Sequence, residues 1–231
     1  MSAGHSLALD HLVNVEPGAI IGPLDDGFVR LSFLSSVIKF DHRDNPLLPN
    51  SGYTMTLEPK LSLEAIGSEA NFATILAKTT RIVPLTPLGP RFSLGLGASA
   101  GISQPFGDTT EIPITQRFYL GGRTTVRGFR ENSLGPLGSD GAVIGGDTLL
   151  AAKTQFQYLL FDSFSTHLFM DLGNVFLRHE SFELSDIREG VGGGFQYLSP
   201  IGPIGFDVGH PIDRQEGESS VRLHFSVGSV F

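Results

Sequence analysis

The segment EIPITQRFYLGGRTTVRGFREN, from Glu111 to Asn132, lies inside a Gly-rich interval that runs from about 105 to 146 and shows no sustained strand alternation. Ordinary connections between strands need only about 2–5 residues, so a loop of this length is either functional or disordered. Its composition does not fit a disordered linker, because aromatic and aliphatic side chains are interleaved with arginines. The arginines are Arg117, Arg123, Arg127 and Arg130. Arginine binds carboxylates through paired hydrogen bonds, so we expect this loop to fold back onto acidic partners inside a wall of strands.

Segments on both sides of the loop alternate between apolar and polar residues, which predicts strands with two different faces. In Arg91–Ser103, for example, Phe92, Leu94 and Leu96 are separated by serine and glycine residues. The predicted strands are Phe28–Phe40, Tyr53–Ala65, Asn71–Val83, Arg91–Ser103, Thr148–Phe161, Thr166–Phe176, Arg188–Leu198, Ile204–Ile212 and Val221–Phe231. Residues 1–26 are ambiguous and could hold one further strand at Ser6–Val13, whereas residues 27–231 are predicted to form one barrel domain.

The composition fits a membrane β-barrel or an all-β soluble domain. The chain has 231 residues, of which 40% are apolar and 17% are charged, with 29 glycines and no tryptophan. A soluble β-sandwich or lipocalin-like barrel is the alternative, but such folds place large apolar side chains inside and charged ones outside. Here the second face of the strands carries mainly Gly, Ser, Thr and Gln, which suits a water-filled lumen. We therefore predict an all-β, antiparallel transmembrane β-barrel of about nine to ten strands.

Several other classes of protein are disfavoured. No apolar run approaches the roughly 18–20 residues of a transmembrane helix, so any membrane crossing would be made by strands. The net charge is −8 and the only basic feature is the set of spaced arginines in the loop, which argues against nucleic acid as a partner. The chain has no cysteine, its seven histidines lie singly, and it lacks nucleophile-elbow and phosphate-loop motifs. We therefore expect no enzyme activity, no cofactor and no metal.

Five motifs, in order, resemble the BamA/TamA superfamily of outer-membrane assembly and translocation barrels, the bacterial surface antigen family. The loop segment RFYLGGRTTVRGF (117–129) is similar to the RGF tip that this superfamily folds back into its lumen. The other motifs are DHRDNPLLPNSG at 41–52, FMDLGNVF at 169–176, FQYLSPIGPIGFDVGHPI at 195–212 and the terminal Phe231. Together they cover nearly all of the chain from about residue 40 onward.

The resemblance implies a barrel of sixteen strands, five of which follow the long loop. Five predicted strands follow the loop in this chain and four or five precede it, so about six N-terminal strands are expected to be absent. The chain would then be the C-terminal part of a larger barrel, and the alternative is a complete ten-stranded barrel. The N-terminus also lacks the basic start and apolar core of a secretory signal, which agrees with a fragment or a mature region.

The resemblance also assigns roles to individual residues. Its loop motif corresponds to Gly121, Gly122, Val126, Arg127, Gly128 and Phe129. An arginine inside a lumen needs carboxylates, and Asp171 and Asp207 are the acids on later strands that sit among glycines. Gly173 accompanies Asp171, and Gly205 and Gly209 accompany Asp207, and these glycines are expected to leave room for the loop against the wall. We therefore expect Arg127 to contact one or both of these acids, with Gly128 allowing a tight turn. The terminal Phe231 is the expected signal for insertion into the outer membrane.

The function that the resemblance implies is insertion or export of other proteins through a bacterial-type outer membrane. The lumen would be plugged by the RGF loop, and a lateral seam at the last strand would pair with client strands. The alternatives are a barrel that anchors or secretes a fused passenger, such as a patatin-like lipase, and a small diffusion porin. The expected partners are outer-membrane lipid, client or passenger proteins, and POTRA domains or accessory proteins encoded upstream.

Overall fold

A computed structural model describes residues 2–11, 24, 28–139, 141–178, 182–200 and 202–227, and these form one antiparallel sheet of ten strands. The strands are β1 (Ser2–His11), β2 (Phe28–Asp41), β3 (Gly52–Ser62), β4 (Phe72–Pro84), β5 (Phe92–Pro105), β6 (Thr148–Phe161), β7 (Phe164–Phe176), β8 (Arg188–Ser199), β9 (Gly202–Pro211) and β10 (Arg222–Val227). Each strand pairs with its neighbours in chain order. The predicted all-β antiparallel fold and the number of strands are therefore confirmed.

The ends of some predicted strands needed correction. The strand predicted to run from Tyr53 to Ala65 stops at Ser62, because a 3₁₀ turn at Glu64–Ile66 takes the chain out of the sheet. The turn between β6 and β7 is also shorter than predicted, since Phe164 already pairs with Phe161. Residues 12, 13 and 228–231 of the predicted first and last strands lie outside the described residues, and so does the proposed insertion signal Phe231.

Pro59 interrupts one of the ladders of β3. Hydrogen-bonded pairing between β2 and β3 is present at Ser35↔Lys60 and at Ile38↔Leu57, with the same register, but not between these positions. On the other side of β3 the register with β4 is continuous through Pro59↔Ile75. Proline has no N–H to donate, so it breaks the ladder without shifting the strand. A proline within a strand predicts a bulge or a break, and at Pro59 the structure shows a break.

The two faces of the sheet differ as the alternation predicted. On β10 the side chains of Leu223, Phe225 and Val227 are 65%, 66% and 56% exposed, whereas His224 and Ser226 on the opposite face are buried. The buried face of the sheet is the one on which the long loop packs, and we call it the inner face. An apolar outer face and a small or polar inner face are typical of a strand wall that contacts lipid on one side.

The sheet is an open part of a barrel. Within the described ranges, β1 pairs with β2 alone and β10 pairs with β9 alone. None of the helices formed by these residues is long and apolar enough to cross a membrane. The connection between β5 and β6, residues 106–147, contains a 3₁₀ turn at Ile114–Gln116 and packs on the inner face. We call this connection the RGF loop, its residues Val126–Phe129 the tip, and its residues 111–117 the arm.

Candidate functional site at the tip of the RGF loop

The loop leading to the tip is folded by its glycines and by local hydrogen bonds. Gly121 and Gly122 have φ angles of 104° and 98°, which glycine adopts without steric cost. The Thr125 hydroxyl donates to the Gly121 carbonyl over 2.8 Å and accepts from the Gly121 N–H over 3.0 Å. The Gly122 N–H donates to the Val126 carbonyl over 3.1 Å. These bonds close a compact turn that presents Arg127 to the wall.

The Arg127 guanidinium donates two parallel hydrogen bonds to the Asp171 carboxylate of β7. Nε donates to Oδ2 over 2.7 Å, and one terminal nitrogen donates to Oδ1 over 3.0 Å. The Arg127 backbone N–H adds a third bond to Asp171 Oδ2 at 3.1 Å. Both side chains are fully buried, at 0% exposure. A buried bidentate ion pair of this kind fixes the position of the Arg127 side chain and also neutralises its charge.

Three further groups surround the Arg127 guanidinium. Its other terminal nitrogen donates to Gln155 Oε1 of β6 over 3.0 Å and lies 3.7 Å from Asp207 Oδ2 of β9. The other Asp207 oxygen is 2.6 Å from His167 Nε2, so the carboxylate is shared. The Phe169 ring stacks on the guanidinium, with 3.6 Å between its centroid and Arg127 Cζ. The structure thus brings the predicted Arg127, Asp171 and Asp207 together, with Asp171 making the closer contact.

Two wall glycines allow the tip to touch the strand backbone. A Cβ on Gly190 of β8 would lie 1.9 Å from the Arg127 carbonyl oxygen, and a Cβ on Gly209 of β9 would lie 2.5 Å from the Gly128 nitrogen. Gly128 itself has a φ of 100°, and its own Cβ would lie 3.1 Å from the His210 backbone. The tip therefore occupies space that side chains at these positions would fill.

Only one of the three glycines beside the predicted acids makes room for the tip. Gly173 lies two residues from Asp171, and Gly205 and Gly209 lie two residues from Asp207; all three were expected to leave space for the loop. A Cβ on Gly173 would instead meet the Leu150 carbonyl, and one on Gly205 would meet the Ser226 hydroxyl, so both are close to neighbouring strands. Only Gly209 faces the tip.

The last described strand also reaches the tip. The Gly128 N–H donates to His224 Nε2 of β10 over 3.1 Å, and the His224 side chain is buried. Sequence reasoning missed Gln155, Gly190 and His224 as tip contacts. Period-two alternation did place His224 on the inner face of its strand. It could not show which residue of that strand lies level with the tip of the loop. The tip consequently contacts all five strands from β6 to β10.

Apolar packing holds the tip and the loop residues on either side of it. Leu120, Val126, Phe129 and Leu134 of the loop form a buried cluster with Leu149, Ala151 and Val175 of β6 and β7. The inner face of β6 is apolar at Leu149 and Ala151, beside this cluster, and polar at Lys153 and Gln155. The loop motif residues Val126 and Phe129 therefore serve packing, and Arg127 serves pairing.

The arm packs against the other end of the sheet. Ile112 is fully buried in a second apolar cluster with residues of β2 and β4. The cluster comprises Val29, Leu31, Phe33, Ala70, Phe72 and Ile112. The Lys60 ammonium of β3 donates to Gln116 Oε1 over 2.8 Å and lies 5.0 Å from the centroid of the Phe33 ring. The arm is thus held mainly by burial of apolar surface.

Asp147 closes the base of the loop where it enters β6. Its carbonyl accepts from the Ser103 N–H over 2.7 Å, and its N–H donates to the Phe176 carbonyl over 2.9 Å. Burial raises the pKa of the Asp147 carboxyl to about 6, although Arg117 and Arg178 act in the opposite direction. One carboxyl oxygen is buried with no hydrogen-bond partner among the described residues. The carboxyl therefore titrates closer to neutral pH than an ordinary aspartate does.

The geometry of the tip is that of a mechanical contact between a loop and a wall. In the part of the chain that the structure describes, no group of three or more His, Asp or Glu side chains could hold a metal ion. The carboxylates at the tip are occupied by Arg127 and His167. What the arrangement can do is fix the RGF loop to the inner wall at a defined height.

Comparison with known proteins identifies the family. The family model for the Omp85 superfamily domain matches residues 11–231. Outer membrane protein assembly factor BamA from Neisseria meningitidis serogroup B is 26% identical over 221 residues, which cover 81% of this chain and 27% of that protein. The sorting and assembly machinery component 50 homolog from Xenopus tropicalis is 30% identical over 160 residues, which cover 65% of this chain and 33% of that protein.

The fold has a counterpart among solved structures. The crystal structure of BamA from Haemophilus ducreyi lacking POTRA domains 1–3 superimposes with a TM-score of 0.76 at 22% identity, covering 91% of this chain and 45% of that one. The chain therefore spans less than half the length of these relatives. The match over residues 11–231 and the shared barrel fold confirm the resemblance that the five motifs indicated. The chain belongs to the Omp85 superfamily and is an outer-membrane β-barrel domain of the BamA/TamA type.

Proposed function

We propose that this chain is the barrel portion of an outer-membrane protein-assembly factor, and that its RGF loop braces the wall at which client proteins are inserted. Two relatives are named for assembly, one in a bacterium and one in a vertebrate. Both are assembly components and not enzymes, which agrees with the lack of catalytic motifs in the sequence.

The observation that carries this proposal is the buried Arg127. A loop that only covered the barrel mouth would not need a fully buried guanidinium, because removing a charge from water is costly unless it is paired. Here the charge is paired with Asp171, and the same tip contacts five consecutive strands. A loop fixed this way supports the C-terminal strands as a unit. It also occupies the inner face, which argues against a small diffusion porin.

The client would enter at the edge of the last strand. β10 has β9 as its partner on one side among the described strands, and its outer side chains Leu223, Phe225 and Val227 are exposed. A strand with a free edge offers unpaired N–H and C=O groups to an incoming strand. Client strands would add there and then pass into the lipid. The upstream POTRA domains or accessory proteins, and the lateral seam itself, belong to this proposal.

The test compares Arg127→Ala with wild type in the full-length protein, reconstituted in lipid vesicles. The measurement is the fraction of an unfolded outer-membrane barrel protein that becomes folded and protease-resistant. We expect a fall of roughly tenfold or more, since breaking a buried ion pair costs about 3–5 kcal/mol. Arg127→Lys should be intermediate, because lysine keeps the charge but not the planar fork. Protease cleavage within the RGF loop should increase in parallel.

Arg130→Ala is the matched control, because Arg130 lies three residues away in the same loop and is exposed. It should insert clients like wild type. If wild-type protein inserts no unrelated barrel protein but still displays or releases a domain fused before it, the chain is a passenger anchor or secretion pore. If Arg127→Ala inserts clients as fast as Arg130→Ala, the brace has no part in insertion.

A further inference from the structure

The contact between the tip and β10 depends on one imidazole. His224 sits on the inner face of β10 opposite Asp207 of β9, and its Nε2 accepts the Gly128 N–H over 3.1 Å. Among the hydrogen bonds between described residues, this is the one that joins the tip to β10. The contacts with β6 to β9 use different groups, namely Gln155, Asp171, Gly190 and Gly209.

The acceptor role fixes the protonation state of the ring. A backbone N–H can only donate, so Nε2 must carry a free lone pair, and the ring must therefore be neutral. A protonated imidazole has an N–H at both positions and would point a donor at a donor. The bond between the tip and β10 would then be lost, while the carboxylate and glycine contacts with β6 to β9 would stay.

The charges around His224 come from three elements. Glu131 and Arg127 belong to the loop, Asp207 to β9, and Arg222 to β10 itself. The Asp207 carboxylate is already engaged on one oxygen by His167 at 2.6 Å and on the other by Arg127 at 3.7 Å. Asp207 is thus already shared by two other groups and is not reserved for a protonated His224.

We infer that His224 is a positioning residue that couples the RGF tip to the last strand, and that protonation of its ring uncouples them. The inference rests on the proposed function for its biological meaning, because β10 is the strand at which clients are proposed to enter. The coupling itself is a statement about the mobility of β10 and does not depend on that function. A neutral His224 holds β10 against the tip, and a charged His224 frees that strand to separate from it.

The experiment measures amide hydrogen exchange of the full-length protein in lipid in steps from pH 7.5 down to pH 4.5, after correction for the intrinsic pH dependence of exchange. The peptides of interest cover 222–227 and Gly128, and those of β6 and β7 serve as an internal reference. At pH 7.5, His224→Leu should speed exchange at Gly128 and in β10 by roughly three- to tenfold, the range expected for one hydrogen bond. His224→Gln should remain close to wild type, because its amide oxygen can accept the same bond.

The pH profile separates coupling from simple packing. Wild type should exchange faster in β10 as the pH falls from 7.5 to 4.5, and His224→Gln should lose this response. A flat wild-type profile over this range would reject the uncoupling by protonation. His42→Gln is the control for removal of a histidine, since His42 is exposed in the connection between β2 and β3, and it should keep the response. The inference is overturned if His224→Leu leaves β10 exchange unchanged, if His224→Gln behaves like His224→Leu, or if His224→Gln keeps the pH response.

The same samples are assayed for client insertion, so the two ideas can fail separately. Faster β10 exchange in His224→Leu, with no client insertion even by wild type, would support the coupling and reject the proposed function. Normal insertion by all variants, with unchanged exchange, would reject the coupling and leave the proposed function standing.

Discussion

The two ends of the sheet hold the RGF loop by different means. On the C-terminal side, β6 to β10 hold the tip through the Arg127–Asp171 pair and through backbone contact at Gly190 and Gly209, in addition to apolar packing of Val126 and Phe129. On the N-terminal side, β2 and β4 hold the arm through a buried cluster around Ile112. Charge pairs and close backbone contacts depend on distance and angle, whereas apolar burial depends mainly on area. The tip is therefore fixed in position, and the arm is attached with more tolerance.

This difference makes the tip the part of the loop that sets the geometry of the wall. A shift of one ångström would break the paired hydrogen bonds, because such bonds require donor–acceptor distances near 2.9 Å. The same shift in an apolar cluster can be absorbed by side-chain repacking at a smaller cost. The strands held by the tip are also those nearest the proposed site of client entry.

The largest effect is expected for Asp171→Ala, which tests whether a buried ion pair holds the tip. This change leaves the Arg127 guanidinium buried without its main partner, and we expect the free energy of unfolding to fall by about 3–5 kcal/mol. Urea unfolding in detergent micelles measures it, with Asp186→Ala as an exposed carboxylate control. The double variant Arg127→Met with Asp171→Leu should recover most of the stability but not client insertion. Equal stability of Asp171→Ala and Asp186→Ala would contradict a desolvated pair.

A smaller loss of stability is expected when the packing of the arm is disturbed. Ile112→Ala removes a fully buried side chain from the arm cluster, and we expect a loss of about 2–4 kcal/mol from the free energy of unfolding. Ile112→Val should cost about 0.5–1.5 kcal/mol, as expected for a single methylene. Hydrogen exchange should increase in residues 111–117, while the Gly128 amide stays protected. Loss of protection at Gly128 would show that arm and tip are not held independently.

The smallest effect concerns the base of the loop and depends on pH. Burial raises the pKa of Asp147 to about 6, above the value of about 3.9 for an unfolded aspartate. Between these values the folded protein binds more protons than the unfolded one, so this contribution to stability is full below about pH 4 and is lost as pH rises through about 6. Asp147→Asn should abolish this part of the pH dependence of unfolding, and Asp108→Asn, at an exposed position, should not. An unchanged profile for Asp147→Asn would mean that the carboxyl is solvated.

Much of the fold could be read from the residues in order. Period-two alternation predicted nine strands and suggested a tenth, because the facing of side chains in a strand is a local property of the backbone. The errors fell at strand ends, such as the stop at Ser62, where a local turn competes with pairing. The length and arginine content of the RGF loop also indicated that it folds onto a wall.

The residues that contact the tip could be predicted from the sequence only in part. The resemblance placed Arg127 inside the lumen, where an unpaired guanidinium is too costly to bury, and Asp171 and Asp207 were the acids expected to pair with it. Which of them it grips, that Gly190 leaves the space for its backbone, and that His224 accepts from Gly128 were decided by the tertiary structure. These contacts join residues up to 96 positions apart in the chain and depend on the register of five strands at once. Alternation fixes which face a residue occupies, but only the assembled sheet fixes which residues stand at the same height.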